Sequence, residues 1–167
     1  MKILVTGGLG HIGSHLLENI DKIKFIKKIY IIDNLSTNRY CSLFNLPKTD
    51  KKIYFYQNDL SLKNSLKNFK KVDVVLNLAS LTDAESSLKI KKEIYRNNLN
   101  IFRNIIEYCK KNSSKLIHIS STSVYGDQKG LVDETCEKLK PKSPYAEIKV
   151  KEENILKRNK DKINFVS

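Results

Sequence analysis

No apolar run in this chain approaches the roughly 18 residues that a membrane span needs. Its N-terminus reads as a strand rather than as the basic and apolar regions of a signal peptide. Both absences point to a cytoplasmic protein with no membrane partner. Cysteine is scarce and odd in number. Cys41, Cys109 and Cys136 are far apart, which excludes a disulfide framework and predicts free thiols in a reducing compartment. None has a metal-ligand spacing. His11 and His15 are four apart, but no third ligand accompanies them, so no metal is expected. Acidic residues are few, 18 against 31 Lys and Arg, which leaves a net charge of +13. The excess is spread along the chain and comes almost wholly from Lys. There is no arginine-rich stripe and no interleaving of aromatic and basic residues, so a specific nucleic-acid site is not expected. Repeats, low-complexity segments and interdomain linkers are missing too. The 167 residues amount to one domain with a sizeable core.

What is present begins at the first residues. Lys2-Ile-Leu-Val-Thr-Gly-Gly-Leu-Gly-His-Ile-Gly-Ser-His-Leu16 places an apolar run before Gly7, Gly10 and Gly13, and an apolar-periodic stretch follows. Such a turn lets the backbone approach a pyrophosphate and aims a helix N-terminus at it. Spaced glycines alone are weak evidence. Here Asp33 ends the next strand, at the roughly 20-residue offset of an acid that bonds the adenosine ribose hydroxyls. The combination predicts dinucleotide binding.

The rest alternates. Strands are predicted at Lys2–Thr6, Lys28–Ile32, Lys52–Gln57, Val72–Leu78, Lys115–Ser120 and Ile163–Val166. Helices are predicted near Ile12–Ile20, Leu62–Phe69, Glu85–Lys111 and Pro144–Asn159. Apolar strands such as Val72-Asp-Val-Val-Leu76 suit a parallel sheet covered on both faces. The fold class is therefore α/β, a doubly wound parallel sheet of the Rossmann type, with ligands expected at the carboxyl ends of the strands. In the long helix Ile94, Ile101, Phe102, Ile105 and Cys109 form one stripe. Asn98 lies on that stripe, either as a buried amide that needs partners or as a helix-surface amide.

Polar residues mark the strand ends. Asn58-Asp59-Leu60 follows the third strand, Asn77-Leu78-Ala79-Ser80 the fourth, and Ser120-Ser-Thr-Ser-Val-Tyr-Gly126 the fifth. Ala79 and Ser80 permit close approach of a ring, or serve packing alone. Tyr145 and Lys149, four apart on a predicted helix, share a face. An ammonium near a phenol favours the phenolate, which predicts a lowered Tyr145 pKa and a general acid/base. Tyr125 and Lys129 have the same spacing, but Gly126 and Gly130 argue against a helix there. Ser121 or Thr122 could hydrogen-bond the group that Tyr145 deprotonates.

Together these segments resemble the extended short-chain dehydrogenase/reductases, and among them the NAD-dependent sugar-nucleotide epimerase/dehydratase family. Thr6-Gly-Gly-Leu-Gly-His-Ile-Gly-Ser-His15 is similar to its cofactor turn, which adds His11 and Ile12 to the glycines as cofactor residues. His11 replaces the usual aromatic. Ile32-Asp33-Asn34-Leu-Ser36 resembles the adenosine-ribose segment of UDP-glucose 4-epimerase-like members. A carboxylate at Asp33 implies NAD rather than NADP. The resemblance assigns Asp59 and Leu60 to the adenine, and Leu78, Ala79, Ser80 and Asn98 to the cofactor wall. It puts the catalytic hydroxyl on Ser121 and the catalytic pair on Tyr145 and Lys149. Ser121-Thr122-Ser123 stands where the family's 4,6-dehydratases carry Thr-Asp-Glu, so dehydration is not expected.

The resemblance implies a nucleotide-sugar substrate oxidised by hydride transfer to NAD, at C4 by expectation, with Lys149 also binding the nicotinamide ribose. Dimerisation through two long helices is implied as well. Family members run on much further, so residues 1–167 are read as the NAD-binding domain with the catalytic helix, and the substrate domain as absent. The chain is expected to bind NAD weakly or moderately and to turn over sugar nucleotides poorly. A non-catalytic NAD-binding remnant, a subunit completed by another chain, and a reductase, decarboxylase or dehydratase of the same family are the alternatives.

Overall fold

The computed structural model describes residues 1–82 and 88–167. Six strands form one sheet: β1 (Lys2–Thr6), β2 (Lys28–Asp33), β3 (Lys52–Gln57), β4 (Val74–Asn77), β5 (Lys115–His118) and β6 (Phe165–Val166). Their order is β3-β2-β1-β4-β5-β6, and every pairing is parallel. Three α-helices lie among the described residues: α1 (His11–Glu18), α2 (Leu88–Asn112) and α3 (Pro144–Arg158). The chain winds outward from β1 one way through β2 and β3, then returns to lay β4 on the other side. That reversal opens a crevice at the carboxyl ends of β1 and β4, the usual ligand position in such sheets.

Alternation along the strands creates two cores. Leu4, Tyr30, Val75 and Leu116 face one side, where they meet Phe102 and Ile105 of α2 and Leu156 of α3. Ile3, Val5, Ile29 and Ile31 face the other, against Leu17 of α1 and Ile20 beyond it. The Ser143 hydroxyl starts α3 by accepting the Ala146 N–H at 3.1 Å. Pro144 follows at a first-turn position that has no N–H to satisfy.

Several expectations need correction. Leu62–Phe69 is a series of turns, not a helix. Its bonds, Ser65 to Leu62, Lys67 to Asn64 and Phe69 to Leu66, span three residues. Asn64 sits at a φ of 62°, outside the helical region. Helix α1 stops at Glu18, and a tight 3₁₀ turn over Ile20–Lys22 carries the chain on. β4 and β5 are shorter than expected, and β6 has two residues rather than four. The expected start of the long helix at Glu85 lies outside the described residues. The sheet is also not covered on both faces throughout. On β5 the side chains of Leu116 and His118 are buried, while Ile117 is 41% exposed, and its β6 neighbour Val166 is 66% exposed.

Candidate active site

The turn after β1 is built for close approach. Gly7 has a φ of +62°, and a Cβ there would lie 2.7 Å from the Ala79 Cα. A Cβ on Gly13 would lie 2.4 Å from the Gly8 carbonyl oxygen, so only glycine lets α1 start this near the strand. Gly10 caps α1 without a side-chain hydrogen bond, and no acid occupies its first turn. The free N–H groups at that end therefore remain available to an anion. Asp33 holds the turn from β2. One carboxylate oxygen accepts the Leu9 N–H at 3.1 Å and the other the Leu35 N–H at 2.9 Å.

Two cavities meet at this turn. The first is lined by Gly7, Gly10, Asp33, Asn34, Ser36, Asp59, Leu60, Leu78, Ala79 and Ser80. The second is lined by His11, Ile12, Gly13, Tyr145 and Lys149, and shares Gly7, Gly10, Leu78, Ala79 and Ser80 with the first. They form one continuous crevice. Sequence reasoning missed Thr37, which lines both, and Arg39, which lines the second. The loop that carries them has no pattern beyond its polarity.

Two expected site residues stand apart from this lining. Asn98 is buried and lies behind the wall. Its amide accepts the Leu81 N–H at 2.9 Å and donates to the Leu81 carbonyl at 2.9 Å and the Ser80 hydroxyl at 3.0 Å. It fixes the loop that forms the wall, and its neighbour Asn97 lines the first cavity. Ser121 lines an adjoining cavity with Thr122, Tyr125 and Glu153. Its hydroxyl pairs with Ser123 at 2.8 Å and caps the short 3₁₀ turn Thr122–Val124.

Tyr145 and Lys149 do share a face of α3, and the Lys149 ammonium lies 5.5 Å from the Tyr145 ring centre. The expected effect on the phenol is reversed. Burial, and then the negative charge of Glu152, push the Tyr145 pKa up. The second of these causes is visible in the bonding of Lys149. Its ammonium donates to Glu152 at 2.8 Å and to the Ile119 carbonyl at 2.9 Å. A nearby carboxylate thus offsets the positive charge that would favour the phenolate. Glu152 was not singled out from the sequence. Its only signal there is the i, i+3 spacing from Lys149.

The parallel sheet, the glycine turn at its switch point and the Tyr–Lys pair across the crevice define a Rossmann-type dinucleotide-binding protein. The chain belongs to the NAD dependent epimerase/dehydratase family, whose pattern matches residues 3–167. It is 32% identical to UDP-glucose 4-epimerase of Schizosaccharomyces pombe, over 97% of this chain and 47% of that protein. The Drosophila melanogaster UDP-glucose 4-epimerase is also 32% identical, over 93% of this chain and 47% of its own length. Among solved structures, the UDP-glucuronic acid 4-epimerase of Bacillus cereus in complex with NAD superposes with a TM-score of 0.84 at 30% identity. That match covers 99% of this chain and 55% of that one. The chain spans about half the length of the curated relatives it matches.

Proposed function

We propose that this chain supplies the NAD-binding and catalytic half of a sugar-nucleotide 4-epimerase. The observation that carries the reading is the shared crevice. Tyr145 and Lys149 line the same cleft as the glycine turn and the open end of α1. The residues fit NAD. The turn would hold the pyrophosphate on the α1 N–H groups, Asp33 would accept the adenosine ribose hydroxyls, and Asp59 and Leu60 would border the adenine. A carboxylate at Asp33 disfavours the 2′-phosphate of NADP. Bound NAD supplies a hydride acceptor that can return the hydride.

The protein's part is proton handling and placement. Tyr145, once ionised, takes the proton of the sugar hydroxyl as its carbon is oxidised, and returns it on reduction. Lys149 offers a donor to the nicotinamide ribose. Ser121 orients the sugar oxygen once a substrate draws its hydroxyl from Ser123. Ser121-Thr122-Ser123 offers no acid to protonate a departing hydroxyl, which favours epimerisation over dehydration. A reductase or decarboxylase would use the same residues, and substrate trials separate them. No described helix is long and apolar enough to cross a membrane, and the three cysteines are unpaired. Both suit a cytoplasmic setting, and a homodimer belongs to the same reading.

Calorimetry with NAD tests the cofactor half. The wild-type chain should bind NAD in preference to NADP. Gly7→Val should weaken NAD binding at least about tenfold, some 1.4 kcal/mol, because its side chain meets the Ala79 backbone. Equal binding by the two proteins would refute the assignment. Turnover of UDP-glucose should be low in this chain and should vanish in Tyr145→Phe.

A further inference from the structure

A buried polar chain runs beneath the crevice from the glycine turn to the catalytic helix. The Thr6 hydroxyl accepts the Ala79 N–H at 3.3 Å and donates to the Asn77 amide oxygen at 2.8 Å. With its oxygen so used, Asn77 turns its NH₂ to His118 Nδ1 at 3.2 Å. That ring nitrogen is then the acceptor, and the proton of the neutral imidazole sits on Nε2. His118 Nε2 faces the Glu152 carboxylate at 3.2 Å without the alignment of a hydrogen bond. The same carboxylate oxygen takes the Lys149 ammonium at 2.8 Å. Lys149, Glu152 and His118 are all buried. A carboxylate in such a place is costly unless paired, and this one takes a hydrogen bond from the Lys149 ammonium with His118 Nε2 3.2 Å away.

We propose that Glu152, backed by His118, is a positioning residue that anchors the Lys149 ammonium beside Tyr145 and sets the net charge that the phenol meets. Two of the three ammonium donors are committed, to Glu152 and to Ile119. Lys149 also lines the crevice. The anchor thus aims the lysine while opposing its bias toward the phenolate. Other charged groups around Tyr145 are placed differently. His11 and Arg39 line the same cavity. On α3, Glu147 is turned to Tyr95 and Lys91, and Glu153 to Ser120. Glu152 is the carboxylate that acts on Tyr145.

The purpose of this device rests on the reading of Tyr145 as a general base. Its test does not, because it is made on the ligand-free chain without turnover. Failure of NAD binding or of epimerisation would therefore leave the result standing. The chain is labelled with tyrosine carrying ¹³C at Cζ, and the Tyr145 resonance is identified by its loss in Tyr145→Phe. Its midpoint is then followed as pH rises. Glu152→Gln should lower that midpoint by about one pH unit, a tenfold gain in phenolate at a given pH. An unchanged midpoint with a lower melting temperature would make Glu152 purely structural and overturn the proposal. If Glu152→Gln does not fold, the neutral pair Lys149→Met with Glu152→Gln decides. Its midpoint should stay within about 0.3 unit of wild type, since two opposed charges leave together. A rise of about a full unit would show an ammonium that Glu152 does not offset, and would equally overturn it.

Discussion

Leu4 and Val5 are neighbours in β1, yet the rows of side chains that they join across the sheet end differently. The row through Tyr30, Leu4, Val75 and Leu116 stays buried across four strands, from 4% exposed at Tyr30 to 1% at Leu116. The row through Ile31, Val5, Leu76, Ile117 and Val166 starts fully buried and opens steadily. It reaches 41% exposure at Ile117 and 66% at Val166. Phe102 and Ile105 of α2 and Leu156 of α3 share the core of the first row. The core that Leu17 of α1 joins takes in Ile31 and Val5 of the second, with Leu76 only partly buried against it. The glycine turn and Asp33 stand on the doubly covered part of the sheet. Tyr145 and Lys149 stand over the part that has one covered face.

The contrast is sharpest between adjacent residues of β5. Leu116→Ala should cost about 2–5 kcal/mol, because it opens a cavity in the covered core. The measurement is denaturant unfolding, and a cost below about 1 kcal/mol would break the comparison. Cys109 probes the same covered face by pH. Burial pushes its thiol up to about 12. The unfolded chain gives up this proton near pH 9, and the folded chain holds it. Stability from this thiol is therefore intact below about pH 9 and falls as pH rises toward 12. The loss of melting temperature above pH 9 should be shallower in Cys109→Ala than in wild type. Ser143→Ala, at the start of the catalytic helix, should cost about 1 kcal/mol, the usual worth of an N-cap. Smallest of all, Ile117→Thr should stay within about 0.5 kcal/mol. A large loss there would mean that the open row is covered in solution.

Much of the cofactor end was legible because its logic is local. Gly7, Gly10 and Gly13 are needed at fixed offsets to turn the chain and start a helix. Asp33 follows from the length of one strand–helix–strand unit. The Tyr145–Lys149 face follows from helical spacing, whereas the apolar stripe left Asn98 open between a buried and a surface amide, and the structure buries it. The ionisation of Tyr145 was not legible. Its upward shift comes first from burial and then from Glu152, whose neighbour His118 is bonded to Asn77, 41 residues earlier. Glu152 shares α3 with Tyr145, but nothing local relates it to His118 or Asn77. The turns at Leu62–Phe69 were missed for a different reason. Apolar residues there anchor a loop at intervals that imitate a helix, while Asn64 adopts a backbone that no helix allows.

The sequence by itself determined most of the alternation of strands and helices, and the family, since each depends on residues within one or two elements. Only the tertiary structure decided which face of the sheet is left open and which charge Tyr145 meets. Coverage depends on where distant helices lie. A buried ionisation depends on every charge packed around it, because water is no longer there to screen them.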